Sequence, residues 1–367
     1  MRLPAPPGVD VDIQEHPTKE LQIGGQAVIE GVVMRTTDKW SLAVRRPGGD
    51  MFVTVNPILT LAQKYPRWNK FPIRGMFALA DSLIIGVKAL SISGGISLEA
   101  LDEEEEGEDS VQQDDAGGTP ALRDDAGGTP ALREEDGGTP ALPDEDAAEE
   151  PEAKDEAKPI STPQIAIALV ISLALFLGLF IVVPAVLAKQ FDTVVHNTVV
   201  YNLIEGGIRI GVFILYLAAM ALMPDIKRVF EYHGAEHKVV HAYEAGEPLT
   251  PESASKFSTA HMRCGTAFIL IVFVISILVF SFMGRPALWL RILERLAIIP
   301  FVAAFSYEII KFAGRYEDSR AMRVIMYPGL LLQKLTTREP DEEQLEVAID
   351  ALKAAISTET AVAAADA

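Results

Sequence analysis

The sequence predicts a predominantly α-helical, polytopic membrane protein with about four transmembrane helices, an interfacial helix and a small N-terminal β unit. Three observations lead to this fold class. Four segments from residue 165 onward are almost wholly apolar, and about 20 such residues suffice to cross the hydrocarbon layer of a bilayer. An earlier segment places apolar residues at helical spacing. Before it, short runs with strand-like composition alternate with turn residues.

These patterns divide the chain into five parts. The parts are a flexible proline-rich arm (1–20), a β unit with an interfacial helix (21–100), a disordered acidic linker (101–160), a four-helix transmembrane domain (161–320) and C-terminal surface helices (321–357). A His-rich helix (225–245) is predicted inside the transmembrane domain, between its second and third spans.

The β unit is predicted from three short runs, residues 26–35, 40–46 and 51–55. A Pro-Gly-Gly-Asp turn separates the last two runs and predicts a hairpin. A unit this small does not fold alone, so we expect it to pack on the rest of the chain. Gly24 and Gly25 indicate close backbone approaches, and no G-K-[ST] sequence follows them, which argues against a phosphate-binding P-loop.

Residues 74–93 predict an apolar helix in which Asp81 and Lys88 fall on one face. We interpret this segment as an interfacial helix rather than a further span. The four predicted spans comprise residues 165–189, 199–223, 266–283 and 292–312. Glu205 and Arg209 lie one helical turn apart in the second span, and pairing reduces the cost of placing each charge in a membrane.

The distribution of basic residues predicts the orientation. The loop between the second and third spans is the most basic, whereas the first loop holds Lys189 alone. The positive-inside rule then places both termini and the His-rich helix in the cytoplasm, at the inner membrane of a bacterium. The chain shows no signal peptide at Met1, and its single cysteine fits a site that faces a reducing cytosol.

The net charge of −19 comes from one segment. Residues 102–158 hold 22 acidic and 4 basic side chains, and the remaining residues hold 29 and 28. A decapeptide with Gly-Gly and Pro repeats within this segment, and such low-complexity sequence cannot bury a core. The lipid bilayer is the predicted partner, no nucleic-acid partner is expected, and the substrate and the oligomeric state stay open.

The chemistry of the chain centres on residues 231–264, which contain four of the six histidines and the only cysteine. His233, Glu236 and His237 form the inverted zinc-binding pattern H-x-x-E-H, in which two histidines hold the metal and the glutamate acts as a base. The two histidines lie about 40° apart on a helix, which allows one ion to be chelated. The pattern therefore predicts a divalent metal, with zinc as the expected ion and Glu236 as the catalytic residue.

A catalytic zinc needs a third protein ligand. In inverted zinc sites an acidic residue on a distant helix commonly supplies it, so Glu308 is the first candidate. The next candidates are His241, then His261 and Cys264, which immediately precede the third span on the same side. Two alternatives stay open. In the first, Glu308 is an acid near the membrane surface that pairs with Lys311 or Arg315 rather than with a metal. In the second, Cys264 is only a small buried residue at a helix start.

Four motifs of this chain resemble the YqhQ-like family of bacterial membrane proteins, whose function is unknown and which is labelled a predicted metal-dependent enzyme. The motifs are residues 24–35, 231–244, 263–266 and 335–340. The resemblance covers roughly residues 20–100 and 160–355, and the acidic repeat departs from the usual spacing of the family. It implies a metal-dependent enzyme in a bacterial membrane.

Three functions from different classes follow. The first is a zinc-dependent hydrolase at the cytoplasmic membrane face, with Glu236 as general base. The second is a non-enzymatic scaffold or assembly factor, in which the histidines hold a structural metal or only form hydrogen bonds. The third is a transporter that uses Glu205, Arg209 and Glu308 as intramembrane charges, although the spans show no internal repeat.

Overall fold

The computed structural model describes residues 23–71, 73–115, 162–316 and 319–357. The predicted arm (1–20) and residues 116–160 of the predicted linker lie outside the described residues.

The β unit is a four-stranded antiparallel sheet in which each strand pairs with the next along the chain. Its strands are β1 (Gly24–Val28), β2 (Gly31–Arg35), β3 (Lys39–Arg45) and β4 (Met51–Pro57). The first predicted strand is therefore two strands, because a tight turn at Ile29 and Glu30 reverses the chain and pairs Val28 with Gly31. Glu30 adopts a φ of 52°, a conformation that non-glycine residues seldom take.

Eleven α-helices are described. They are α1 (Leu61–Lys64), α2 (Ile73–Asp115), α3 (Thr162–Leu177), α4 (Val183–Ala188), α5 (Thr198–Met220), α6 (Pro224–Glu244), α7 (Pro251–Ala254), α8 (Gly265–Ser281), α9 (Leu288–Arg315), α10 (Arg320–Thr336) and α11 (Glu342–Ile356). A π-helical turn, Gly178–Val182, joins α3 to α4. The predicted His-rich helix is α6, and its observed bounds lie one residue before the predicted ones.

Helix α2 extends further than the sequence predicted. It continues to Asp115, so residues 101–115 are helical although we assigned the linker no secondary structure from residue 101. The glutamates that follow Leu101 are good helix formers, and they prolong a helix that packing has already nucleated.

The sheet lies between two helical layers. One of its faces packs against α6 and α11 in a buried cluster that includes Val32, Met34 and Leu352. The other face packs against α2 through Ile85 and Ile96. The β unit is thus docked on the rest of the chain, as expected for a sheet of this size.

Four helices are long and apolar enough to cross a membrane, which confirms the predicted fold class. They comprise residues 73–98, 167–191, 198–220 and 288–314. Three match predicted spans, whereas the predicted third span is α8, a shorter apolar helix of 17 residues. The remaining one is the start of α2, residues 73–98, which includes the segment 74–93 that we interpreted as an interfacial helix. Ile85 and Ile96 of this helix pack on the sheet.

A buried charge cluster links α5 to α9. Glu205 is 1% exposed and pairs with Arg209 at 3.2 Å, as predicted. Arg295 also pairs with this carboxylate, and Arg291 lies 3.9 Å from its second oxygen. The cluster holds the start of α5 against α9, and the far end of α5 leads directly into α6.

Candidate metal centre

Gly234 determines how α6 packs against the chain that leaves α10. A Cβ atom on Gly234 would collide with the backbone carbonyl oxygen of Arg338. The Arg338 N–H donates to the carbonyl of Phe230 at 2.9 Å. Because glycine has no side chain, the backbone around Arg338 can cross α6 directly beside the histidines.

Two backbone carbonyls fix the orientation of the first two histidines. Nδ1 of His233 lies 2.7 Å from the carbonyl oxygen of Thr336, and Nδ1 of His237 lies 2.5 Å from that of Thr259. A carbonyl only accepts, so each Nδ1 carries a proton, and in the neutral imidazole Nε2 is then the nitrogen that has the lone pair. This arrangement is typical of histidines that bind a metal through Nε2.

Cys264 supplies a third donor atom at the same point. Its Sγ lies 3.3 Å from Nε2 of His233, and one ligand atom from each of His233, His237 and Cys264 lies within 4.8 Å of the others. Cys264 caps the start of α8 and accepts from the Thr266 N–H at 3.4 Å.

The donor set fits zinc. Zinc takes imidazole nitrogen at about 2.0–2.1 Å and thiolate sulfur at about 2.3 Å, so a tetrahedral site separates N from S by about 3.5 Å. The 3.3 Å between His233 and Cys264 is close to this spacing. Two imidazoles and one thiolate are also ligands that zinc prefers.

Glu236 lies beside this donor set and outside it. Its Oε2 is 3.5 Å from Nε2 of His237, and its side chain is 8% exposed. Gly25 of β1 packs directly against it, since a Cβ atom there would collide with the Glu236 side chain. The sheet therefore holds the predicted base next to a candidate ligand.

The other predicted ligands on α6 and in the following loop form a second group, His241, Glu244 and His261. His241 donates through Nε2 to the carbonyl of Ala260 at 3.0 Å. Burial, followed by the nearby His261, lowers the pKa of His241 to about 4. His241 is therefore neutral near pH 7.

Hydrogen bonds already engage most of the ligand atoms in this second group. Nδ1 of His261 accepts from the Arg263 N–H at 3.3 Å, so its Nε2 carries the proton and faces Glu244 at 3.5 Å. Glu244 also pairs with the Arg263 guanidinium. The ring of His261 lies 5.6 Å from that of His237, and we interpret the second group as support for the first.

Glu308, the first candidate for the third ligand, belongs to neither group. Its carboxylate binds the guanidinium of Arg74 on α2, with Nε and Oε1 2.5 Å apart. Glu308 thus has a basic partner, as in the alternative, but the partner that the structure shows is Arg74 of a different helix. The sequence ranked Cys264 last among the candidates, because a small buried residue at a helix start was the simpler interpretation of this cysteine.

Comparison with known proteins gives a family for this chain. The family described as "Protein of unknown function (DUF1385)" matches residues 71–358. The chain is 30% identical over 332 residues to "Uncharacterized protein YqhQ" of Bacillus subtilis (strain 168), covering 89% of this chain and 90% of that protein. No solved structure matches the chain. The chain therefore belongs to the DUF1385 family, and its similarity to the YqhQ protein agrees with the resemblance that the motifs indicated.

Proposed function

We propose that this membrane protein is a zinc-dependent hydrolase that works at the cytoplasmic face of a bacterial inner membrane. His233, His237 and Cys264 hold the ion, and Glu236 is the general base. One observation carries the proposal. Two Nε2 atoms with fixed lone pairs converge with a cysteine sulfur that comes from a different helix.

Zinc held by three protein donors supplies a Lewis acid that activates water for hydrolysis. Glu236 is placed to accept the proton that this water loses, because its carboxylate lies 3.5 Å from His237. The site is largely closed to solvent, since Glu236 and His237 are 6% and 2% exposed. Charge that develops there is therefore screened less than it would be in water.

The cytoplasmic assignment rests on charge and on the path of the chain. Helix α6 follows α5 directly, and the surrounding loop holds most of the basic residues between spans. A green fluorescent protein fused after Ile356 should fluoresce, because it folds in the cytoplasm. An alkaline phosphatase fused at the same place should be inactive, and the opposite pair of results would reverse the assignment.

The Glu236→Gln variant tests catalysis separately from metal binding. We expect it to retain the metal and to fail in restoring the phenotype of a strain that lacks the gene, because an amide cannot accept the proton. Glu247→Gln makes the same change at a nearby exposed carboxylate and serves as the control. Full complementation by Glu236→Gln ends the hydrolase proposal.

The second candidate is a scaffold in which the metal is structural. The three donors join α6 to the start of α8, and the carbonyl of Thr336 adds the end of α10. A metal there would tie these elements together, and metal binding adds directly to folding stability. This role requires the ligands and not Glu236, so the Glu236→Gln result separates the two. The transporter has less support, since Glu205 and Glu308 are both paired with arginines.

A further inference from the structure

A cavity of about 500 Å³ lies between the sheet and two membrane-associated helices. Strands β1 and β2 line one side of it, through residues such as Gly25 and Arg35. Helices α2 and α9 line the other, through residues such as Ser82 and Lys311. A cavity of this size accommodates a small molecule or the headgroup of a larger one.

The lining is cationic. Arg35, Arg263 and Lys311 line the cavity, and none of its described lining residues is acidic. Arg35 donates to the Ser82 hydroxyl at 2.9 Å through one nitrogen, which leaves further donors for a ligand. Lys311 makes no hydrogen bond or ion pair with the part of the chain that the structure describes.

Only part of the guanidinium of Arg263 has a hydrogen-bond partner. One of its terminal nitrogens pairs with Glu244, but its buried Nε has no hydrogen-bond partner among the described residues. Its side chain packs on Gly314 of α9, where a Cβ atom would lie 3.1 Å from Cδ. A buried donor without a partner is costly, and this donor belongs to a residue that lines the cavity.

The cavity shares a wall with the candidate metal centre. Gly25 lines the cavity and also contacts Glu236. Arg263 lines it as well and directly precedes Cys264 in the chain. Gly25 and Arg263 therefore connect the cavity to the candidate metal centre, whose base and candidate ligands do not themselves line the cavity.

We propose that this cavity binds a phosphate group of the substrate. The inference rests on the proposed function and names the chemical class on which the metal site acts. Guanidinium groups match phosphate oxygens in geometry as well as charge. Apolar lining residues from α2 and α9, such as Ile85 and Ile310, fit the carbon skeleton that adjoins the phosphate. The phosphate belongs either to a lipid headgroup or to a water-soluble phosphate ester.

Thermal unfolding of the purified full chain in detergent micelles tests this inference. One arm dopes the micelles with phosphatidic acid, with phosphatidylcholine as the comparison lipid. The other arm adds glycerol 3-phosphate or inorganic phosphate, with chloride at equal ionic strength. We expect a saturable rise in the unfolding temperature in at least one arm. A response to phosphatidic acid alone indicates a lipid substrate, and a response to the soluble probes indicates a phosphate ester.

The double variant Arg35→Gln/Lys311→Gln should bind more weakly, so the half-saturating concentration of the phosphate compound should rise at least tenfold. The control Arg320→Gln/Lys334→Gln removes the same charge from exposed positions on α10 and should respond like the wild type. Lys311→Gln alone breaks no described interaction, so it gives a reduced response even if the double variant unfolds. Equal responses in wild type, cavity variants and control overturn the inference, as does the absence of any saturable response.

Metal content separates this inference from the function on which it rests. The cavity variants should retain the wild-type amount of zinc, because none of the altered residues is a candidate ligand. If the protein contains zinc but does not bind phosphate, the cavity inference is wrong and the proposed hydrolase is unaffected. Phosphate binding without zinc contradicts the hydrolase and leaves a phosphate-binding cavity.

Discussion

Nε2 of His233 lies 3.3 Å from Sγ of Cys264, although the two residues are 31 positions apart in the chain. One belongs to the middle of α6 and the other caps α8, and Gly234 and the loop before α8 bring them together. A cysteine sulfur thus lies beside the H-x-x-E-H motif, where the sequence favoured a carboxylate as the third donor.

The contact between Gly25 and Glu236 gives a prediction about catalysis. Gly25→Ala should displace the Glu236 side chain, because the new methyl group occupies its position. We expect activity to fall about tenfold or more, equivalent to about 1.4 kcal/mol, while zinc content stays unchanged. Complementation of a deletion strain at matched expression measures the effect. Gly24→Ala is the control, since a Cβ atom there meets no neighbour within 4 Å, and an equal loss in both variants would contradict the account.

The contact between Gly234 and Arg338 gives a prediction about stability. Alanine is normally the better helix former by about 1 kcal/mol, yet Gly234→Ala should destabilise the protein. Overpacking costs about 1–3 kcal/mol, and here the obstacle is a backbone carbonyl. Thermal unfolding in detergent should show a lower midpoint for this variant than for Gly211→Ala, whose added methyl group meets nothing. If Gly234→Ala leaves the unfolding midpoint unchanged, the loop between α10 and α11 does not pack against Gly234.

Glu205 should be the most sensitive charge in the transmembrane domain. Glu205→Gln leaves buried arginines without their carboxylate, and breaking a buried ion pair in this way costs about 3–5 kcal/mol. The exposed pair of Arg46 and Asp50 offers a comparison, because removing such a pair costs about 0–1 kcal/mol. Unfolding midpoints of Glu205→Gln and Asp50→Asn measure both effects. Similar midpoints would mean that the cluster does not stabilise the fold.

Tyr232 gives a prediction about alkaline pH. Burial, followed by the negative charge of Glu30, raises the pKa of Tyr232 above its ordinary value of 10.0. Its hydroxyl donates to Glu30 at 3.2 Å. Above pH 10 the unfolded chain loses this proton while the folded chain keeps it, so this contribution to stability is full below pH 10 and declines as the pH rises.

Tyr232→Phe removes the titrating group and keeps the ring. The wild type should therefore have the higher unfolding midpoint at pH 8, and its advantage over the variant should shrink between pH 8 and pH 11. A difference that stays constant over this range would mean that Tyr232 titrates normally in the folded protein.

Local sequence patterns predicted most helices and strands correctly, but they did not predict which side chains from different elements contact one another. Helix α6 agrees with its prediction because Pro224 starts it and no breaker other than Gly234 interrupts it. The turn at Glu30 was missed because Ile29 and Glu30 carry no Gly or Asn signal. That turn is stabilised from outside, by an ion pair between Glu30 and Arg228 of α6, which no local pattern reveals.

The candidate metal centre shows the same difference between local features, which the sequence predicted, and long-range contacts, which it did not. Spacing along α6 identified His233 and His237, and proximity to the third predicted span identified Cys264 as one of several candidates. The choice among them depended on which side chains already had partners. Glu308 is bound to Arg74, 234 positions away, and such long-range pairing cannot be read from a single sequence.

The zinc content of the purified protein tests the central claim most directly. Protein purified in detergent from zinc-supplemented cells should contain about one zinc per chain by inductively coupled plasma mass spectrometry. His233→Ala, His237→Ala and Cys264→Ser should lose most of it. Glu308→Gln should retain it, as should His196→Ala, which removes an exposed histidine outside both groups. Wild-type protein without zinc, or ligand variants that keep the wild-type amount, would contradict the account.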